Sequence, residues 1–309
     1  MNRKDIPQAQ ALAAQLSRFT SPALLGVQLP ASLDCLAAQL VDSIKRVRYA
    51  TTIGQRPMQG AALTDAGAAS FNPIKAAVWQ QQHGNLEEAC WLVLLATHFG
   101  KHGRHGWGLL RAVYGGLGGR PWNWARVSTN LQGFRQWLAA HEAALHQAGG
   151  FGNHRKYETL VPPGSAQGTA DTVAGYVGWV SAAGSHAALL GAAQAGATPQ
   201  QAFDHLYRQL AVVPRFGRTA RFDYLTMLGK LGFASLEPGS AYLNQATGPR
   251  RGARLLFGGD INAPLRTASL TTSLGQLQAH LQLPFGFQVL EDALCNWQKN
   301  PVKYIRFSA

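Results

Sequence analysis

The chain runs to 309 residues, of which 46% are hydrophobic, enough for one large core or two modest ones. Charged residues supply only 14%, and 28 Lys+Arg against 15 Asp+Glu leave a formal charge of +13, a balance that draws polyanions such as DNA. Three scattered cysteines (Cys35, Cys90, Cys295) argue against a disulfide framework, no apolar run reaches the roughly 20 residues that cross a bilayer, and MNRKDIPQAQ has no signal-like core, so a cytoplasmic protein is expected.

Apolar residues at i, i+3, i+4 spacing through Leu12, Leu16, Leu36, Leu40 and Ile44 predict helix over 7–50. Residues 51–72, rich in Gly, Ala, Thr and Pro, read as a long connection. They mark off a helical N-terminal extension (1–70) from a main body (71–309). Helical pattern returns over 73–99, followed by Gly-rich loops at 100–108 and 115–121. A helix over 128–148 stops at Gly149-Gly150. After a loop at 161–169 come helices over 171–195, 199–211 and 218–231, then turns at 236–250. Helices over 250–257, 269–281 and 286–298 close the chain, with Leu255–Phe257 readable as strand or helix. No useful alternating pattern and no fixed repeat occur, so the predicted class is all-α.

Between Ala89 and His141 there is no acid, and the stretch holds five of the eight tryptophans: Trp91, Trp107, Trp122, Trp124 and Trp137. Cations that meet phosphates, interleaved with rings that stack on bases, form a nucleic-acid pattern. Trp91 and Trp137 lie on apolar helix faces and read as core. Lys101, Arg104 and Trp107, in the loop HFGKHGRHGW, are the candidates for DNA contact. His98, His102 and His105 have no carboxylate or cysteine beside them, so no metal is expected there.

The segment RFGRTARFDYLTMLGKLG is apolar around most of a helix, as a buried helix should be. Yet Thr219, Asp223, Thr226 and Lys230 share one line at i, i+4, i+7 and i+11. Buried polar groups need partners, so the stripe faces a cleft or is tied into structural pairs. The acids past residue 200 are few: Asp204, Asp223, Glu237, Asp260, Glu291 and Asp292. A carboxylate that supports an N-glycosidic cleavage must come from this set, because the breaking bond leaves positive charge on the sugar.

Five segments are similar to a known family: EEACWLVLLATHFGKH (87–102), GGFGNHRKYETL (149–160), FGRTARFDYLTMLGKLG (216–232), EPGSAYLNQATGPRRGARLLFGG (237–259) and QVLEDALCNWQK (288–299). Through them the chain resembles the α-glutamyl/putrescinyl thymine pyrophosphorylases of the bacterial type. These are linked to the helical domain of phage 5-hydroxymethyluracil DNA kinases and, further off, to the helix-hairpin-helix DNA glycosylases. The resemblance implies a helix-hairpin-helix glycosylase-like core and DNA as the partner. No cofactor and no membrane contact are expected, and a monomer is expected. FGRTA (216–220) and TGP (247–249) are similar to Gly-rich hairpins whose amides meet phosphates. The glycosylase pattern LPGVG with an Asp at fixed interval, its lysine nucleophile and a four-cysteine iron–sulfur loop are missing. Glu291 matches the glutamate before the Leu-Cys pair of the family's last motif, and Asn296 stands where phage-type relatives carry a second glutamate.

The leading expectation is a DNA glycosylase for bulky modified pyrimidines, serving antiviral defence against phage. The base flips into a pocket formed with Asn153, His154, Tyr157, Trp107 and Lys230. Asp223 or Glu291 supports the departing sugar and the water. Lys101, Arg104, Arg155, Lys156, Arg215, Arg218, Arg250 and Arg251 hold the DNA backbone. Two alternatives stand beside it. One is a transferase that displaces pyrophosphate from an activated hydroxymethyluracil, with Arg155 and Lys156 on the leaving group, although no P-loop motif occurs. The other is a non-enzymatic reader of modified DNA.

Overall fold

A computed structural model describes residues 1–162, 164 and 166–306. Among them are fourteen α-helices and no strand. In chain order these are α1 (Ile6–Arg18), α2 (Pro30–Gln55), α3 (Pro73–Gln82), α4 (Leu86–Phe99), α5 (Gly108–Tyr114), α6 (Trp124–Val127) and α7 (Leu131–Ala148). There follow α8 (Thr169–Ser181), α9 (His186–Gln194), α10 (Pro199–Gln209), α11 (Arg218–Lys230), α12 (Gly248–Gly258), α13 (Thr267–Leu281) and α14 (Gly286–Trp297). The all-α expectation is met, and Leu255–Phe257 is helical. Three predicted helices are each two. The run 7–50 breaks between α1 and α2, 73–99 breaks at His83–Asn85, and 171–195 breaks at Ala182–Ser185. Local chemistry makes the last two breaks: Gly84 and Gly184 take φ of 78° and 89°, and Asn85 and Ser185 cap the next helix by accepting the amides of Glu88 and Ala188.

The chain forms two compact units, and the division falls inside α2. The first joins Met1–Ala50 to the chain from Glu237 onward, and the second is Thr51–Leu236. The helices before Ala50, set apart by the sequence reading as an extension, therefore share a core with the C-terminal helices. That core draws Leu12 and Leu16 from α1, Leu36 and Leu40 from α2, Leu274 from α13, and Leu290, Leu294 and Trp297 from α14. Gly252 lets α12 lie on α14, since a Cβ there would stand 2.4 Å from the Leu294 carbonyl oxygen.

In the second unit α4 is central. Every residue from Glu88 to Phe99 is buried except Thr97, the pattern of a helix enclosed on all sides. Of the five tryptophans of the acid-free stretch, Trp91 and Trp122 are buried in this interior and the half-buried Trp124 and Trp137 pack against them. Trp91 donates Nε1–H to the Trp122 carbonyl at 2.9 Å, and Trp124 and Trp137 lie with ring centroids 6.1 and 5.9 Å from Trp91 and Trp122. Arg126 sits 3.5 Å over the Trp122 ring. The interleaved cations and rings are thus used largely within the fold, and Trp107, half-buried at the start of α5, is the one left in the loop.

A polar chain crosses the same interior. Glu87 accepts the His186 Nδ1–H at 2.5 Å, which leaves Nε2 to accept from the Tyr176 hydroxyl at 2.7 Å. Tyr176 in turn accepts from Tyr224 at 2.6 Å. His186, Tyr176 and Tyr224 are each no more than 1% exposed. The chain therefore ties α4, α9, α8 and α11 together through buried hydrogen bonds, whose loss is costly in an apolar setting.

Candidate functional site

The site is built in the second unit from the end of α4, the loop 149–158 and the start of α11. Helix α4 stops at Gly100, whose φ of 64° turns the chain out of the helix. Gly152 donates its amide to the Phe99 carbonyl at 2.7 Å, and a Cβ on it would stand 2.8 Å from the Gly100 carbonyl carbon. Backbone therefore meets backbone, and the motif's glycines lock two loops together. On the far side, the hairpin between α10 and α11 turns through Pro214 and Arg215, the latter in the left-handed region at φ 56°.

Two arginines clamp the loop. Arg155, in a 3-10 turn over Asn153–Arg155, is turned inward with its side chain 9% exposed. Its Nε donates to the Thr97 carbonyl at 2.7 Å, and one terminal nitrogen reaches Asp223 Oδ2 at 2.9 Å. Arg215 donates to Glu158 Oε2 at 2.7 Å and to the Tyr157 carbonyl at 2.6 Å. Asn153, His154, Lys156 and Tyr157 face outward between them, and Tyr157 is 80% exposed with the Lys156 ammonium 5.1 Å from its ring. Beneath lies His98, whose Nε2 meets Thr169 Oγ1 at 3.0 Å. Because that hydroxyl donates to the Thr159 carbonyl, His98 is the donor. Burial, with the charges of Arg155 and Arg215, holds His98 down to about 3.

The polar stripe of α11 descends from solvent into the core. Thr219 is exposed, the Asp223 side chain is 44% exposed, Thr226 is buried with its hydroxyl on the Phe222 carbonyl at 2.7 Å, and Lys230 is 8% exposed. Its upper end faces the loop and its lower end is structural. Asp223 is the acid past residue 200 that meets the 149–158 loop, and four of the other five are engaged with other partners. Asp204 pairs with Arg208. Asp260 accepts the Asn262 amide. Asp292 takes Ser43, Arg46 and Asn296. Glu237 accepts the amides of Phe285 and Gly286, and burial pushes its carboxyl up.

Several expected site residues lie elsewhere or turn inward. Glu291, half-buried on α14, and Arg250 and Arg251, in the first turn of α12, belong to the first unit. Arg218 is 7% exposed, its guanidinium over the Phe222 ring at 5.1 Å. Arg155, expected to hold DNA, braces Asp223 instead. Lys101 and Arg104 are exposed, on a loop shaped by His102, whose Nδ1 accepts the amides of Arg104 and His105 at 3.2 and 3.0 Å. Glu158, the single acid of GGFGNHRKYETL, escaped the sequence reading although it stands out there as the one negative group among cations.

No curated protein and no solved structure matches the chain significantly. A family model described as alpha-glutamyl/putrescinyl thymine pyrophosphorylase clade 3 matches residues 31–309. The chain belongs to that family, whose description is that of an enzyme acting on modified thymine.

Proposed function

We propose that the chain excises a modified thymine from DNA, using Asp223 as its carboxylate on a glycosylase-like helix-hairpin-helix core. The observation that carries this reading is the convergence of the Asp223 carboxylate, the braced loop with its exposed Tyr157, and the α10–α11 hairpin in one place. The amides of Gly217, Thr219 and Ala220 precede the first intrahelical bond of α11, from Arg221 to the Gly217 carbonyl, and a DNA phosphate is well received at such a helix start. Tyr157 stacks on the base or fills the gap it leaves, and Asn153 or His154 bonds its edge. As the N-glycosidic bond breaks, its electron pair leaves with the base, and the sugar carbon becomes positive. Asp223, half-exposed and therefore reachable by water, stabilises that charge and orients the water that forms the new C–O bond. The water's proton passes to solvent or to the departing base. Arg250 and Arg251, on the first unit, stay candidates for contact with the DNA backbone, Glu291 stays the alternative catalytic carboxylate, and defence against modified phage DNA is the setting this chemistry fits.

Purified protein incubated with DNA carrying hypermodified thymine should release base and leave abasic sites, and Asp223→Asn should not. Intact binding with no base release on any such DNA overturns the reading. The family description favours a second one, in which pyrophosphate leaves an activated hydroxymethyluracil and an amine takes its place, with the exposed Lys156 on the leaving group. Pyrophosphate release that depends on added amine, with no abasic site, selects it.

A further inference from the structure

Between α4 and α5 the chain folds into a small hairpin over residues 102–106. His102 and Gly106 exchange both backbone bonds, amide to carbonyl, at 2.8 Å each. The His102 ring caps the turn from within, its Nδ1 accepting the amides of Arg104 and His105 at 3.2 and 3.0 Å. Gly106 takes φ 55°, a value that suits glycine. Four bonds thus fix five residues, and Arg104 is the middle one.

The foot of this hairpin is anchored and its tip is bare. A Cβ on Gly150 would stand 3.5 Å from His102 Cδ2, and one on Gly149 would stand 3.4 Å from the His105 Cβ. One residue earlier, a Cβ on Gly152 would stand 2.9 Å from the Lys101 amide nitrogen. The hairpin is therefore locked to the loop that carries Tyr157. At the other end Gly103, Arg104 and His105 are exposed. Chain neighbours aside, a Cβ on Gly103 or Gly106 would meet no heavy atom within 4 Å among the described residues. Arg155 and Arg215 turn their guanidinium groups to Asp223 and Glu158, whereas Arg104 stands at the apex of a slender, rigid turn. No acid accompanies it anywhere in the sequence between Ala89 and His141.

We propose that this hairpin enters the minor groove of duplex DNA, with Arg104 at its apex reading a narrow, A·T-rich groove. Only the choice of DNA as partner is taken over from the excision reading. A minor groove about 6 Å wide excludes a helix and admits a thin turn or a single side chain. Narrow A·T-rich grooves concentrate negative potential and draw arginine into them. A guanidinium is more weakly hydrated than an ammonium, so it gives up water there at smaller cost. A phosphate contact needs no such frame, because phosphates line the outside of the duplex and an unconstrained side chain reaches them. The fixed turn leaves little besides the Arg104 side chain to be ordered on binding.

The test reads binding of the full chain by anisotropy on three duplexes of equal length. The first has a central run of A·T pairs, the second inosine–cytosine pairs in their place, and the third G·C pairs. Inosine lacks the N2 amino group that guanine presents in the minor groove, and it keeps guanine's major-groove acceptors. A minor-groove reader therefore ranks inosine–cytosine with A·T. The wild type should bind the first two duplexes at least about fivefold tighter than the third, the low end of one specific base contact. Arg104→Ala should bring all three within about twofold, while Lys75→Ala, at an exposed cation on α3, should keep the ranking. Melting temperature checks that both variants fold. The proposal is overturned if the wild type ranks inosine–cytosine with G·C, or if Arg104→Ala keeps the ranking, as loss of a mere phosphate contact does. It is also overturned if a single strand binds tighter than every duplex, or if no duplex binds. Base release is scored separately. The ranking without release keeps the hairpin's role and sinks excision, and release without the ranking does the reverse.

Discussion

Across 68 residues of sequence, the Arg155 guanidinium meets the Asp223 carboxylate at 2.9 Å. The arginine is the buried partner, at 9% side-chain exposure against 44%. Taking away Asp223 therefore strands a buried charge, whereas taking away Arg155 frees a carboxylate that water already reaches.

That asymmetry sets the variants to compare. Asp223→Asn keeps an oxygen for the guanidinium and is expected to melt near the wild type. Base release should fall by about 10²-fold or more, the usual size of a lost acid–base or charge-stabilising group. Asp223→Ala should in addition cost stability, less than the roughly 3–5 kcal/mol of breaking a fully buried pair, because half of this one is wet. Single-turnover base release and thermal melts read the two effects separately.

Tyr157, at 80% exposure, contributes contact to a ligand and little to the fold. Tyr157→Ala should change stability by less than about 0.5 kcal/mol. It should weaken engagement of an extruded base by about 1–3 kcal/mol, read by fluorescence of a reporter base beside the lesion.

Arg215 combines side-chain bonds with a left-handed backbone at φ 56°. Arg215→Ala loses the bonds to Glu158 and Tyr157 and keeps the strain. Arg215→Gly loses the same bonds and sheds the strain. The glycine variant should be the more stable of the two by about 1 kcal/mol, measured by urea unfolding.

His98 gives the fold a defined acid limb. Its folded value near 3 lies below the ordinary 6.5, so between those values the unfolded chain binds a proton that the folded one refuses. Stability should fall as pH drops through that window, at up to about 1.4 kcal/mol per pH unit from this group. Glu88 and Glu237, pushed up by burial, act in the opposite sense where pH rises above the ordinary glutamate value. The contribution is therefore read as the difference between wild type and His98→Gln, which should flatten the limb.

Tyr176 stands in the middle of the buried chain and Tyr224 nearer its end. Tyr176→Phe strips both His186 Nε2 and the Tyr224 hydroxyl of this contact, while Tyr224→Phe still leaves Tyr176 donating to His186. The first should cost more than the second, by about 1–3 kcal/mol for the extra unsatisfied group, in denaturant unfolding.

The helix positions are legible in the sequence wherever apolar residues recur at helical spacing, as in α10 and α11. The break at Ala182–Ser185 is hidden because its alanines are good helix formers, and the turn is made by one glycine and one capping serine. Asp223 is legible as a polar residue on a buried helix. The inward turn of Arg155 is not, because nothing in GGFGNHRKYETL distinguishes a cation that braces from one that reaches out. Trp122 and Trp124 mislead for a related reason: composition counts rings and cations, and burial decides what they touch. Pairings such as His186 with Glu87 carry no local signature, since 99 residues separate the partners.

The shared core of residues 1–50 and the chain after Glu237 also dictates an order of events during synthesis. The Ser43 hydroxyl finds Asp292 across a separation of 249 residues. At roughly 5–20 residues per second, α1 and α2 emerge some tens of seconds before α14 exists. In that interval Leu12, Leu16, Leu36 and Leu40 have no native cover. The second unit, contiguous from Thr51 to Leu236, is complete on its own and assembles first. The nascent chain thus carries a finished helical body with an unfinished apolar segment ahead of it, the state in which a holdase chaperone has something to grip.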